Sequence, residues 1–553
     1  MPGSGPTAIR LRGEAAEAVV RWTTTAEVDG LAEGAWVHAD LHIPGRAVPV
    51  ALRRGKDHWL LSLDAAEAAR ALAWLRAVSD GFVLIDPDDP QRRIPGPLAV
   101  EMADGADRPP KAASRQDGAR KAWFVGAAAD GEKPLPDFTW TPPEGGTVRK
   151  TALHAAHKAL GAKLVDFAGW EMPVWYSSVI EEHLATRHAA GLFDVSHMGV
   201  YQVDGLQACA FLDSVVGNDV ADLSEGESLY TQFLDPAAHV IDDTMVYRIE
   251  AQSFLVVVNA ANDEKDWAWL NAVREGRVRV DATRPAARAF GTGCDLRDLR
   301  DPKQGSAMRV DIALQGPRSR EILLALGCSP ADGARLKALP WAGVMHGVFG
   351  GLDLIISRTG YTGERVAYEL FVHPDHGPEL WQKLMAVGTP LGMKPIGLGA
   401  RDSLRTEAGL PLYGHEMGGD LDLGVGQAGF ASYVKPHKPW FIGRSAFVAQ
   451  EAARTGEVVR FRFDEKGVRM AHLHDPVVDR RGKVIGVVTS CAVDAEGYLT
   501  GQAYLQLKSS VEGTPIGIFQ SAAREPEVAP GSLRLGQRAP VPTAATVLSR
   551  FPR

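Results

Sequence analysis

Four cysteines in 553 residues are few, and none of Cys209, Cys294, Cys328 and Cys491 stands in a Cys-x-x-Cys pair. That spacing excludes a disulfide scaffold and a zinc site built on paired thiolates, and it suits a reducing compartment. Long apolar runs are missing too: nothing approaches the roughly 20 uninterrupted apolar residues of a membrane helix. The opening run MPGSGPTAIRLRGEAAEAVV carries Glu14 and Glu17 and no apolar signal core, so it does not read as a signal or transit segment. A cytoplasmic location is expected. Nor is there an excess of positive charge: Lys+Arg 60 against Asp+Glu 68 leaves −8, which argues against general nucleic-acid binding.

What is present is ordinary for a globular protein, 45% hydrophobic and 23% charged, in a chain longer than one core supports. Residues 1–102 read as a small α+β unit. Strands are expected at 35–43 and 58–63, a helix at 64–78 with Asp64 as its N-cap, and a further strand at 81–85. Residues 103–147, rich in Pro, Gly, Lys and Asp, read as an exposed linker. Beyond it the residues predict a helix at 178–190 with a Ser178/Glu181 capping box, one alternating strand at 193–203, and a helix at 206–216. A pair of strands at 240–248 and 254–260 and a helix at 264–273 follow. This order suggests an α+β core over 148–438. Strands at 458–463, 484–488 and 504–507 suggest a C-terminal β module over 439–553. The letters show no internal repeat.

Several blocks join an apolar strand or a glycine turn to a polar residue that a core would not choose: IDDTMVYR (241–248), VVVNAAN (256–262), SRTGYTGE (357–364) and GLGARDSLRTEAG (397–409). Such a mixture suits a flat ligand that is polar along one edge. Asp242 and Asp243 point to opposite faces if the strand alternates, so one at most enters a given pocket. On the residues alone they read as a solvated turn pair; the competing reading is a carboxylate that takes a proton or stabilises a cation. Asn259 offers donors and acceptors at the end of a strand. Tyr230 and Tyr361 either stack on a ring or fill the core. Arg401, expected just ahead of a helix beginning near Asp402, either holds an anionic or carbonyl group or pairs with Asp402 or Glu407. His154 and His157 lie one helical turn apart, but lacking a carboxylate partner they are weak as metal ligands. His197 reads as structural.

With GAKLVDFAGWEMPVWY (161–176) and FDVSHMG (193–199), these blocks resemble the aminomethyltransferase (T protein) of the glycine cleavage system, over residues 150 to the end. The resemblance implies an α+β, T-protein-like folate-binding core of several domains, closed by a C-terminal β-barrel module and preceded here by the small extension. It implies transfer of a one-carbon unit from the aminomethyl-lipoyl arm of an H protein to tetrahydrofolate as co-substrate, with ammonia released and no metal or flavin. It maps the catalytic aspartate onto Asp243, and the folate contacts onto Met198, Tyr230, Asn259, Tyr361, Glu369 and Arg401. The chain departs from the family after the glycine turns, reading Glu364-Arg365-Val366-Ala367-Tyr368-Glu369-Leu370, so Glu364 stands as an alternative to Glu369. A second departure is an apparent insertion at 287–308. The competing enzyme reading is a folate-dependent demethylase of a small methylated amine, sulfonium or aryl ether. A fused flavoenzyme is disfavoured because residues 1–102 lack a G-x-G-x-x-G after a strand. A non-catalytic folate-binding role is disfavoured because Trp440-Phe441-Ile442-Gly443-Arg444 stands where that branch carries a cysteine string.

Overall fold

The computed structural model describes residues 6–552 apart from 29, 44–45, 81–82, 84–97, 104–132, 144, 283–284, 290, 439 and 521–540. Three of its sheets follow one plan: strand, helical segment, three-stranded meander, helix, strand. In the first, strand Pro6–Arg12 leads through helix Ala16–Thr23 to strands Trp36–Ile43, Arg46–Arg54 and His58–Asp64, then helix Ala65–Ser79 and strand Ala99–Ala103. Its first strand lies between the last meander strand and the final strand. Strand alternation explains the layering. Val37, Ala39, Leu41 and Ile43 turn to one face, where they pack with Val19, Val20, Ala71 and Leu75 of the two helices. Asp64 caps the second helix by accepting the Ala66 N–H at 2.8 Å. The strand expected at 81–85 lies, Val83 aside, outside the described residues.

The second sheet repeats the order with strand Gly199–Asp204, helix Ala208–Val215, strands Glu227–Leu234, Val240–Glu250 and Ser253–Val258, helix Asp263–Arg274 and strand Asp295–Asp298. The third does so with strand Val310–Gln315, helices Ser319–Ala325 and Pro330–Ala338, and strands Val344–Phe349, Leu352–Ser357 and Ala367–Val372. Helix Gly377–Gly388 and strand Lys394–Ile396 complete it, with Gly191–Asp194 let in beside its first strand. The expectation of no internal repeat is therefore corrected. The repeat is one of topology, which few shared letters are needed to specify.

Other expectations shift as well. Residues 193–203 form two strands in different sheets, because the Asp194 carboxylate accepts both the backbone N–H (2.9 Å) and the hydroxyl (2.5 Å) of Ser196 and turns the chain. The apparent insertion at 287–308 is no appendage, since it supplies the edge strand Asp295–Asp298. Nor is the described end of the linker free. Leu135 and Pro136 exchange backbone hydrogen bonds with Pro285 and Arg279, and Phe138 meets Trp269 edge-on at 5.1 Å.

Strands Gly456–Phe463, Leu499–Gln506, Val484–Val493, Pro476–Val478, Pro515–Ile518 and Thr543–Leu548 close into a barrel. A buried ion pair ties it to helix Leu398–Ala408. Arg405 donates to Glu416 at 2.8 Å and to the Ser490 hydroxyl at 2.8 Å, and Ser490 donates in turn to Glu416 at 2.7 Å. Arg405 and Glu416 are 1% and 0% exposed, so removing one partner strands the other. Arg405→Ala is predicted to cost about 3–5 kcal/mol in chemical denaturation. Pairing Arg405→Met with Glu416→Leu should recover most of that loss.

Candidate active site

The end of the second sheet gathers an unusual number of acids and amides. Strand Val240–Glu250 carries Asp242 and Asp243, and Asn259 follows directly on its neighbour Ser253–Val258. Asp242 is fully buried. It accepts the Asn259 N–H at 3.0 Å and the side-chain amides of Asn259 (2.9 Å) and Asn262 (2.5 Å). Both oxygens of buried Asp266 have no hydrogen-bond partner among the described residues. Burial, and next the Asp242 charge, push Asp266 well up, which favours its protonated form. The solvated-turn reading of this pair is thereby excluded.

Asp243 is partly open. Its two oxygens accept from the Tyr230 hydroxyl and the Asn259 amide, both at 2.9 Å. Asn259 Nδ2 thus touches both carboxylates, because it stands where the ladder ends and alternation no longer separates them. Burial, and next the Asp242 charge, lift Asp243 to about 7. Tyr230 donates also toward Met417 Sδ at 3.9 Å and packs edge-on against Phe430 and Tyr433.

The third sheet faces this group. Glu369, on strand Ala367–Val372, accepts from the Tyr247 hydroxyl of the second sheet at 2.8 Å and from Thr359. Glu364 is engaged elsewhere, at 2.7 Å from Arg187, which also grips Glu407. Arg401 lies in the first turn of helix Leu398–Ala408, which begins four residues earlier than expected, with Gly397 as N-cap. Its guanidinium sits 4.8 Å over the Tyr361 ring and makes no hydrogen bond or ion pair to any described residue. The structural partners proposed for it are taken: Asp402 binds Arg405, and Glu407 binds His183 and Arg187. Burial lowers Arg401, against the pull of Tyr361, Glu369 and Asp311. Met198 packs between two apolar clusters, one holding Tyr247 and Phe371, the other Phe193 and Ala400.

The contacts gather the predicted residues into three groups on the second and third sheets and the helix that follows: Asp243 with Tyr230 and Asn259, Arg401 with Tyr361, and Glu369 with Tyr247, beside whose cluster Met198 packs. Sequence reading missed Asp311, Asn262, Asp266 and Tyr247. Asp311 is buried, its Oδ1 has no hydrogen-bond partner among the described residues, and burial and then Glu369 push it well up. A carboxylate just ahead of the apolar run IALQ (312–315) was the available signal. His154 and His157 do have carboxylate partners, Glu171 at 2.5 Å and Asp194 at 2.7 Å, so the premise that they lack one is corrected, while the described residues hold no group of three or more His, Cys, Asp or Glu side chains placed to bind a metal. His197 is buried, and burial lowers it to about 4, leaving it neutral.

The model of the family described as "GCVT N-terminal domain" matches residues 153–438. The chain is similar to the aminomethyltransferase of Desulfitobacterium hafniense (strain Y51), 40% identical over 344 residues, which are 62% of this chain and 86% of that one. To the aminomethyltransferase of Alkaliphilus oremlandii it is 39% identical over 380 residues, 67% and 93% of the two chains. Among solved structures, the glycine cleavage system aminomethyltransferase T from Bartonella henselae is similar at 28% identity. It matches with a TM-score of 0.58, over 73% of this chain and 97% of that one.

Because the Asp242 charge helps to hold Asp243 up, Asp242→Asn should let Asp243 ionise at lower pH than about 7. Carboxyl-carbon NMR titration reads this directly. The raised value also fixes a sign: the folded state keeps a proton that the unfolded chain releases above its lower ordinary value. The contribution of Asp243 to stability therefore falls as pH rises toward about 7 and is level beyond it.

Proposed function

The chain belongs to the GCVT family, and from that premise we propose how its own residues carry out one-carbon transfer. It is a tetrahydrofolate-dependent aminomethyltransferase of the glycine cleavage system. Its donor is the aminomethyl group on the lipoyl arm of an H protein. The carbon–sulfur and carbon–nitrogen bonds of that group break, and two bonds form to folate nitrogens. Dihydrolipoyl H protein, ammonia and methylenetetrahydrofolate leave. Nothing in this balance requires a metal or a flavin.

The observation that carries the reading is a half-open carboxylate, Asp243, aimed by Tyr230 and Asn259, together with an arginine, Arg401, that stacks on Tyr361 and has no hydrogen-bond or ion-pair partner among the described residues. A carbon losing sulfur or nitrogen develops positive charge, and a fixed carboxylate beside it lowers that barrier without reorganising. Asp243 has that role, and its pairing to two donors sets its direction. Glu369 accepts from the donor edge of the pterin, Arg401 donates to its carbonyl side, and Tyr361 and Met198 pack against the ring. The fit rests on the Arg401 guanidinium, free of hydrogen bonds among the described residues, on the acceptor Glu369, and on Glu364 being occupied by Arg187.

We take residues 148–438 as the transferase core, 439–553 as the barrel module, and 1–102 as a separate unit tethered by 103–147. The compartment is the cytoplasm; no helix among the described residues is long and apolar enough to cross a membrane.

Asp243→Asn is predicted to leave tetrahydrofolate affinity within a few-fold of the parent while slowing transfer about 10²-fold or more. Arg401→Ala and Glu369→Ala should instead weaken folate binding, read by calorimetry. Unchanged folate-dependent turnover in Asp243→Ala would falsify the assignment.

A further inference from the structure

The extension formed by the first sheet shares more than strand order with the other two. In each unit a glycine with positive φ ends the first strand and receives the N–H of the residue three positions on. Ala16 donates to Gly13, Ala208 to Gly205 and Ser319 to Gly316, each at 3.0 Å. Before each meander a second residue with positive φ, Gly34, Gly226 or Ala342, donates its N–H to the carbonyl of an arginine, Arg54, Arg248 or Arg358. Each arginine side chain then reaches back to a leucine carbonyl three residues before that turn: Leu31 at 2.8 Å, Leu223 at 2.6 Å and Leu339 at 3.0 Å. The first two copies even keep letters, Val28, Leu31, Glu33 and Gly34 against Val220, Leu223, Glu225 and Gly226. Residues 34, 226 and 342 are thus equivalent positions of one module.

This equivalence shows how the second and third modules meet. Val344 N donates to the Gly226 carbonyl at 2.6 Å, Ser228 N donates to the Ala342 carbonyl at 2.8 Å, and Glu227 and Gly343 form the antiparallel bridge between them. Glu227 and Gly343 are themselves equivalent, each one residue past its positive-φ turn. Antiparallel pairing of equivalent residues places a local two-fold axis between them, so the transferase core holds an internal pseudo-dimer.

The matching edge of the first module is Gly34-Ala35-Trp36. Ala35 turns both backbone groups inward, to Ala32 and Arg54, as Gly343 does to Pro340 and Arg358. Arg54 N donates to the Ala35 carbonyl, so ladder alternation turns the next residue's Trp36 N–H away from the neighbouring strand, and the Gly34 carbonyl has no hydrogen-bond partner among the described residues; these are the groups that correspond to those joining the other two modules. The equivalent edges of the second and third modules are filled by each other, so a matching edge comes only from another molecule.

We propose that two copies of this chain join through this edge, with the Ala35 residues facing across a two-fold axis and Trp36 N–H bonded to Gly34 O of the partner in both directions. Gly34 has φ 81° and no Cβ, which leaves room for the half-buried indole of the opposing Trp36. The face of the first sheet away from its helices carries Arg53 where the second module has Tyr247. Without that apolar face the joint rests on strand addition and tryptophan packing, so the dimer is reversible and depends on concentration.

Sedimentation velocity of the full chain over a concentration series should show a monomer–dimer equilibrium, lost in Trp36→Glu. Residues paired without mutual hydrogen bonds in an antiparallel bridge have Cα atoms about 4.5 Å apart, within disulfide reach. Ala35→Cys should therefore form a covalent dimer under mild oxidation, well above the parent with its own four cysteines. Ala99→Cys, on the opposite edge of the same sheet, should not. The crosslink stays informative even if Trp36→Glu misfolds. A chain that remains monomeric throughout, or Ala35→Cys that crosslinks no better than the parent or Ala99→Cys, overturns the proposal.

Discussion

Asp242 has no access to solvent, yet it is adjacent in sequence to the carboxylate that faces the site. Two charges this close in a low-dielectric interior are mutually unfavourable, and the structure answers with donors. Asn259 and Asn262 give Asp242 three hydrogen bonds. Much else follows from that need. The strand must end at Val258 so that Asn259 can reach back over both acids, and helix Asp263–Arg274 must start where Asn262 and Asp266 come under the pair. Asp243 inherits the result: a fixed direction, and an ionisation near neutrality that a free surface aspartate lacks.

The site straddles a seam between two copies of one module, and this gives it two kinds of wall. The second sheet supplies the acids and amides. The third supplies Glu369 and Asp311, and the helix after its last strand supplies Arg401. The Tyr247–Glu369 hydrogen bond crosses between them, so the two walls keep a set spacing. Arg405, one turn on from Arg401, joins Glu416 and the barrel's Ser490, which keeps the Arg401 helix from moving without the barrel.

How much of this was legible varied by residue. Asp64 as a cap, the Ser178 capping box and the strand pair carrying Asp243 were readable because local geometry dictates them. The break at Val195–Met198 was not, since the alternation continues through it and a side-chain turn at Asp194 overrides it. Letters alone left Glu364 and Glu369 open; a long-range partner, Arg187, engages Glu364, while Glu369 meets Tyr247 and Thr359, and the proposed assignment builds on that difference. Asp311 and Asp266 escaped notice because an acid in a strand or helix looks solvated until the neighbours that bury it are known. The threefold repeat was hidden for a similar reason: its marks are a glycine turn and one arginine per copy, spaced by loops of different length.

The most direct test of the central claim is ammonia release from aminomethyl-loaded H protein in a single turnover, with and without tetrahydrofolate. The account predicts rapid release only when tetrahydrofolate is present, with one methylenetetrahydrofolate formed per ammonia. Folate binding without folate-dependent ammonia would contradict it, and would point to a methylated small molecule as the donor.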